Sequence, residues 1–140
     1  MATKTDFTPD QWEALAFAVT DTMMFVTMAN GTHFWESMSE TTAAARYLLE
    51  QAKTSASTLV RDLAVDAGRH RDKTIKSDDI EPVTMDRVAA AFAIIREVAP
   101  DEAEAFKALV LGVADAAAEA KNGIDDAESN AIDKVKSALL

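Results

Sequence analysis

The sequence predicts a single all-α domain, and three observations support this fold class. The chain has 140 residues, a length that suits one domain. It contains only 4 glycines and 3 prolines, so the residues that separate short strands are sparse. Its apolar residues recur three or four positions apart, as on one face of a helix. We therefore expect a compact bundle of six or seven helices over residues 1–140, with no linker long enough to divide it.

The first predicted helix begins at Thr8. The run Thr-Pro-Asp-Gln supplies a capping hydroxyl, a proline at the first helical position and a glutamine three residues after the cap. A helix with apolar residues on two faces is usually buried, so this one should be central. Asn30-Gly31 ends it, because both residues accept the left-handed conformation of helix ends. The two apolar stripes are Trp12, Leu15, Val19, Met23 and Val26, and Phe17, Met24 and Met28.

The second and third helices are predicted on either side of a Thr/Ser-rich break at residues 54–57. Ser37 or Ser39 can cap the second helix, and residues 58–71 carry the third. From His70 to Pro82 the periodicity fails, which predicts the longest loop, with one short turn capped by Ser77 or Asp78. The predicted inward side of the second helix is Ala44, Tyr47, Leu48 and Gln51, and one line of the third is Leu59, Leu63 and Asp66.

Three further helices complete the prediction. Thr84 is the expected cap of the fourth helix, and Pro100 separates it from a fifth helix that runs from Asp101 to Lys121. Asn122-Gly123 ends the fifth helix, and Asp125 caps the sixth, with Glu128 three residues later in a box-like arrangement. The predicted inner faces are Val88, Phe92 and Ile95, then Phe106, Leu109, Val110, Val113 and Ala117, and finally Ile132, Val135 and Leu139.

The two Asn-Gly corners belong to a weak internal repeat. An offset of 92 residues places Asn30-Gly31 on Asn122-Gly123, and an offset of 91 places Pro9 on Pro100. The change of offset requires a one-residue insertion within the long helix. These matches indicate two helical hairpins related by duplication. Chance similarity between amphipathic helices is the alternative, since helical patterning alone produces many such matches.

The second corner also carries a family resemblance. The run from Ala117 to Ile132 resembles the recurring motif of TerB-like proteins of the tellurite-resistance group, through Gly123, Ile124, Asp125 and Glu128. Asn122 stands where that family usually has Asp, and the spacing after Gly123 is one residue shorter. The resemblance covers about the last 40 residues. It implies a compact all-helical fold with pseudo-repeated hairpins, a role in stress or tellurite resistance without enzymatic activity, and acidic positions that bind metal cations weakly.

Composition and charge narrow the class of partner. The chain has no cysteine, which excludes disulfides and thiolate metal sites and favours a reducing, cytoplasmic location. We expect no signal peptide and no transmembrane helix. The net charge of −10 disfavours nucleic acid and anionic membrane surfaces, which both need a basic footprint. The charge is explained by solubility alone, or by a partner that is basic or cationic.

Two lone acids stand on apolar helices. Asp21 is the only charged residue between Glu13 and Glu36, and Asp115 is the only one between Lys107 and Glu119. A buried carboxylate must be paired, hydrogen-bonded or protonated. One hypothesis is that the two acids pair across packed helices as a cation or proton site. The other is that each lies on a narrow exposed strip, or bonds to neighbouring Thr20, Thr22 or a cationic side chain.

Other acidic positions offer weaker candidates. Asp62, Asp66 and His70 stand four residues apart, in one row on the third helix, where they suit either a divalent ion or a solvated stripe. Asp125 and Glu128 could contact a cation, but helix capping explains them without one. We expect no resident cofactor, with weak divalent-cation binding kept as an alternative.

Phe34 and Trp35 follow the first Asn-Gly corner, where they either pack over helix ends or form a contact surface. The sequence has no P-loop, no nucleophile elbow and no dinucleotide fingerprint. The leading hypothesis is thus a non-enzymatic binding domain for an unidentified protein. One alternative is an enzyme with a carboxylate cluster around Asp21, and another is a structural, oligomer-forming bundle.

Overall fold

A computed structural model describes residues 2–28, 34–67, 79–119 and 126–140, and these residues form a helical bundle. The described part contains six α-helices, two short 3-10 helices and no strand. The predicted all-α class and helix number are therefore confirmed. The helices are α1 (Pro9–Met28), α2 (Phe34–Thr54), α3 (Thr58–Ala67), α4 (Ile80–Val98), α5 (Ala103–Glu119) and α6 (Asp126–Ala138). The 3-10 helices are Lys4–Asp6 and Pro100–Glu102.

Helix α1 is the centre of the bundle, as its two apolar stripes predict. It contacts each of the other five α-helices. The first stripe is fully buried, and Phe17, Met24 and Met28 of the second are half-buried. The inner faces predicted for α5 and α6 are also buried, from Phe106 to Ala117 and from Ile132 to Leu139. These side chains form one continuous hydrophobic core.

The predicted start of α1 is confirmed by reciprocal capping. The backbone N–H of Gln11 donates to Oγ1 of Thr8 at 3.1 Å, and the N–H of Thr8 donates to Oε1 of Gln11 at 2.9 Å. Pro9 occupies the first helical position, where its missing N–H is not needed. This local sequence therefore fixes where the central helix begins.

Two other predicted starts are wrong. Helix α2 already includes Phe34, so Ser37 and Ser39 lie inside it rather than at its cap. Helix α4 begins at Ile80, and the predicted cap Thr84 is buried within it. Pro82 falls in the first turn of α4, where a missing N–H breaks no helical hydrogen bond, so the proline does not mark a loop.

The predicted fifth helix begins in two steps. Pro100–Glu102 forms a 3-10 turn, and α5 follows directly at Ala103. Pro9 and Pro100 thus both open helical segments, in agreement with the offset between them. The two Asn-Gly corners, at residues 30–31 and 122–123, lie outside the described residues, so the duplication hypothesis stays a prediction.

Candidate functional site

Asp21 is the buried acid of α1, and its partner comes from α4. Nη1 of Arg87 lies 2.7 Å from Oδ2 of Asp21, whose side chain is 5% exposed, whereas the Arg87 side chain is 31% exposed. The guanidinium carbon of Arg87 also lies 5.0 Å from the ring centre of Phe17. Arg87 thus bridges the core and the surface, and Asp21 belongs to an ion pair between two helices.

The backbone around Asp21 continues this polar contact. Oγ1 of Thr84, on α4, donates to the carbonyl oxygen of Asp21 at 3.4 Å. Thr20 and Thr22 are buried on either side of Asp21, and each donates its hydroxyl to the carbonyl four residues earlier. The hydroxyls are satisfied within α1 itself, so the apolar core tolerates them.

Asp115 lies in a different environment from Asp21. It is exposed on α5, whereas Asp21 is buried. Asp115 acts on Tyr47 of α2: burial raises the pKa of the Tyr47 hydroxyl above 10.0, and the nearby carboxylates of Asp115 and Glu50 raise it further. The two lone acids therefore serve different helix contacts.

Tyr47 is placed by a close approach of α2 to α5. A Cβ atom added to Gly112 would lie 2.0 Å from the Tyr47 hydroxyl oxygen and 2.3 Å from Cζ. Only a residue without a side chain leaves room for the phenol at this position. Gly112 therefore leaves the space that the end of the Tyr47 side chain occupies.

A second polar cluster joins the N-terminal segment to α1 and α3. Oδ2 of Asp66 accepts from Nζ of Lys4 at 2.8 Å and from the indole Nε1 of Trp12 at 2.7 Å. The Asp66 side chain is 13% exposed, so it is not part of a solvated stripe. The Lys4 ammonium also lies 5.6 Å from the Trp12 ring centre, at the distance of a cation–π contact.

An open pocket of about 420 Å³ adjoins this cluster. The aromatic residues Phe7 and Trp12 line it, with their ring centres 5.8 Å apart. Lys4 and Glu13 line it as well, so the pocket has one cationic and one anionic side chain beside the aromatic residues. The remaining lining residues are Thr5, Thr8 and Pro9.

The third buried acid, Glu102, joins the second 3-10 helix to α3. Its Oε2 accepts a hydrogen bond from Oγ of Ser57 at 2.9 Å, over 45 residues of sequence. The same Ser57 oxygen accepts from the backbone N–H of Val60 at 3.2 Å, which makes Ser57 the cap of α3. Ser57 therefore caps the start of α3 and binds a carboxylate of another element.

Several predicted site residues are not brought into these clusters. Asp62 is half-buried on α3, and His70 lies outside the described residues. Asp125 also lies outside them, while the side chains of Glu128, Phe34 and Trp35 are not among those described. Within the described part of the chain, no three His, Cys, Asp or Glu residues are grouped to hold a metal ion.

The sequence indicates a cationic side chain as one possible partner of Asp21, but it does not identify Arg87, and it gives no partner for Asp66. The interacting residues are 62 positions apart for Lys4 and Asp66, and 66 apart for Asp21 and Arg87. The rule that a buried carboxylate needs a partner was the available signal. That rule does not say which cation supplies the contact, because the choice depends on how the helices pack.

The exposed surface contains both acidic and apolar features. Among the exposed described residues, Asp and Glu outnumber Lys and Arg. In the described part of the chain, three large apolar side chains are exposed: Leu49 of α2 at 57%, Val65 of α3 at 46% and the terminal Leu140 at 80%. None of the helices in the described ranges has the length and hydropathy needed to cross a bilayer. Comparison with known proteins found no match: no family model, no curated protein and no solved structure matches the chain.

Proposed function

We propose that the protein is a non-enzymatic binding domain that contacts a basic protein partner through its acidic surface. The observation that carries this proposal is the different use of buried and exposed acids. Asp21, Asp66 and Glu102 are buried and bonded to residues of other elements. The exposed carboxylates outnumber the exposed cations and give the surface its negative field.

A negative surface field mainly affects how fast a charged partner associates with the protein. A surface of one sign attracts a partner of the other sign and raises the rate of encounter, and salt weakens this attraction. The net charge of −10 on 140 residues therefore suits a partner rich in lysine or arginine. Because the attraction acts at a distance, the proposal does not require a deep cavity.

Binding of a defined peptide tests the proposal. The wild-type protein is titrated with a fluorescent lysine-rich peptide and with a glutamate-rich peptide of equal length, at two salt concentrations. We expect the basic peptide alone to bind, and to bind more weakly at the higher concentration because exposed charges are then screened. Equal binding of both peptides, or no binding of the basic one, would contradict the proposal.

The TerB-like resemblance adds a cellular context to this proposal. The six-helix, all-α architecture is of the kind that the resemblance implies. A cytoplasmic domain of this type would act in stress or tellurite resistance by binding another protein. Bacteria that express the protein should then grow at a higher tellurite concentration than bacteria that carry the empty vector, and equal tolerance would speak against this context.

Weak cation binding is a separate part of the proposal. A ligand that binds the native state must raise the melting temperature. Melts in millimolar calcium, magnesium and zinc, each compared with a melt at matched ionic strength, therefore measure it directly. An unchanged melting temperature in all three would remove the cation site while leaving peptide binding untouched.

A second candidate function is supported by the exposed apolar side chains. Leu49 and Val65 lie on α2 and α3, which pack against each other. Exposed apolar residues are found at contacts between subunits, so a homo-oligomer is the alternative. Mass in solution over a range of concentrations distinguishes the two functions, since a monomer at every concentration excludes the oligomer.

A further inference from the structure

We propose that Lys4 occupies a binding site for a cationic side chain, and that residues 2–6 form a detachable strap that keeps this site closed. The inference rests on the proposed function, because it names the site and the partner chemistry for a basic protein. The ligand is the ammonium group of a lysine or the guanidinium group of an arginine. Lys4 is thus an internal competitor for the partner.

The geometry around Lys4 is that of a cation site. Oδ2 of Asp66 lies 2.8 Å from the ammonium, and the Trp12 ring centre lies 5.6 Å from it. A largely buried carboxylate and an indole face are the two groups that bind an ammonium or guanidinium most favourably. Trp12 also donates its indole N–H to the same carboxylate oxygen, which holds Asp66 in place.

The strap differs from the site in how it is anchored. Asp66 and Trp12 belong to helices in the core, with 13% of the Asp66 side chain and 4% of Trp12 exposed. Lys4 belongs to a 3-10 helix of three residues, and 55% of its side chain is exposed. Phe7, packed against Trp12, is the buried attachment of the strap to the bundle. The half of the ion pair that can leave is therefore Lys4.

The adjoining pocket gives the incoming chain a place to bind, because five of its seven lining residues do not belong to the strap: Phe7, Thr8, Pro9, Trp12 and Glu13. Its volume of about 420 Å³ falls within the roughly 300–1,000 Å³ of ordinary ligand pockets. Lys4 and Glu13 both line it, so removal of the Lys4 side chain leaves Glu13 as its charged group. The pocket then favours a basic segment whose leading side chain enters the position vacated by Lys4.

A free polyamine carries the same ammonium chemistry as a protein lysine. The acidic surface outside the pocket favours a partner with several charges spread along a chain. We therefore assign the site to a protein segment and treat spermidine as an outcome of the test.

The experiment compares Lys4→Ala with Lys134→Ala. Both variants remove one exposed lysine from an ion pair, so they change the net charge equally, but Lys134 pairs with Glu81 between α4 and α6. Affinity for the lysine-rich peptide is measured in both, with spermidine in a parallel titration. If the strap is closed about nine-tenths of the time, opening it strengthens binding about tenfold, and Lys4→Ala should show this gain over Lys134→Ala.

Two further variants test whether the gain in peptide affinity arises at Asp66 and Trp12. Adding Asp66→Asn to Lys4→Ala should abolish the tenfold gain, because the carboxylate that receives the cation is lost. Lys4→Gln retains a long side chain without its charge and replaces Lys4→Ala if the alanine variant does not fold. The indole N–H resonance of Trp12 should shift on peptide binding in the Lys4 variants, because the cation binds beside it.

Equal peptide affinities of the Lys4 and Lys134 variants would overturn the inference, as would a gain that survives Asp66→Asn. A gain for spermidine alone would overturn the assignment to a protein partner. Each of these results leaves the salt-sensitive binding of the wild-type protein unaffected, so failure of the strap is distinguishable from failure of the proposed function.

Discussion

Arg87 of α4 lies 2.7 Å from the carboxylate of Asp21 in α1, and the two side chains differ sixfold in exposure, 31% against 5%. Because of this difference in exposure, the loss of one side chain should cost more stability than the loss of the other. Removal of Arg87 leaves a charge in the core, whereas removal of the Asp21 charge leaves a guanidinium that can turn toward solvent. The cost of removing the cationic partner of a buried carboxylate exceeds the net contribution of the intact pair.

Arg87→Met should therefore destabilise the protein more than Asp21→Asn. We expect a loss of about 2–3 kcal/mol for the first, below the full range for a buried pair because Arg87 is partly solvated, and about 1 kcal/mol for the second. Urea unfolding measures both. Arg96→Met is the matched control on the same helix: Arg96 is exposed over Phe92, and its loss should change stability by no more than about 0.5 kcal/mol.

Equal losses for Arg87→Met and Asp21→Asn would contradict the asymmetry. The double variant Asp21→Asn with Arg87→Met provides a second test. Asp21→Asn removes the buried charge whose cationic partner Arg87→Met takes away. The double variant should thus be more stable than the sum of the two single losses predicts.

The sequence predicted the central position of α1 because the relevant information is local. Apolar residues on two helical stripes require burial on two sides, and Thr8 with Gln11 supplies its own cap. The sequence does not indicate the start of α4, because Pro82 closes a run without helical periodicity and so predicts the end of a loop. A proline in a first helical turn and a proline in a loop look alike in sequence, and the packing of Ile80 and Thr84 decides between them.

The candidate site likewise combines features that the local sequence indicates with features that depend on helix packing. The apolar neighbours of Asp21 predict a buried helix but leave open whether its carboxylate lies on an exposed strip, and its pairing with Arg87 depends on how two helices are rotated against each other. Asp66 was placed on the same line as two core leucines, yet its neighbours at four-residue spacing also suggested a solvated row. Lys4, which decides its role, lies 62 residues away and had no sequence signal.

The contact between Gly112 and Tyr47 predicts that the stability effect of Gly112→Ala changes sign when the Tyr47 ring is removed. Gly112→Ala gains about 1 kcal/mol of helix propensity but forces the Tyr47 ring to move, at a cost of about 1–3 kcal/mol. The substitution should therefore destabilise the wild-type protein by about 1 kcal/mol. In a Tyr47→Ala background the obstruction is gone, and the same substitution should stabilise by about 1 kcal/mol.

Chemical denaturation of the four proteins in this cycle measures the effect. The control is Ala108, an exposed residue on α5, where Ala108→Gly should destabilise by about 1 kcal/mol in both backgrounds. If Gly112→Ala has the same sign with and without Tyr47, the phenol is not what requires the glycine.

Tyr47 also predicts a loss of stability at high pH. Its pKa is raised in the folded protein, first by burial and then by Asp115 and Glu50. Above pH 10 the unfolded chain therefore binds fewer protons at this residue than the folded chain does, and the free energy of unfolding falls as pH rises. The contribution is fully present below the ordinary pKa of 10.0 and is lost above it.

The comparison with Tyr47→Phe separates the stability contribution of the Tyr47 hydroxyl from that of other groups that titrate at high pH. The stability difference between the wild type and Tyr47→Phe should be constant from pH 7 to about 9 and should then move against the wild type. Asp115→Asn should reduce the decline, since it removes one of the charges that disfavour the phenolate. A difference that stays constant through pH 11 would show that the hydroxyl is not held in the environment described.

Ser57→Ala should destabilise the protein through two contacts at once. The hydroxyl caps α3 through the N–H of Val60 and donates to the buried carboxylate of Glu102. Loss of a cap costs about 1 kcal/mol, and a buried acceptor that loses its donor adds about 1 kcal/mol, so thermal and urea unfolding should show a loss of about 2 kcal/mol.

Ser137→Ala is the matched control, because its exposed hydroxyl bonds only to a carbonyl within α6 and should change stability by less than about 0.5 kcal/mol. Ser57→Asp separates the two contacts: it retains a cap but places a second carboxylate beside Glu102, so it should be less stable than Ser57→Ala at pH 7. A Ser57→Asp protein as stable as the wild type at pH 7 would show that α3 needs only the cap and that Glu102 does not depend on the serine.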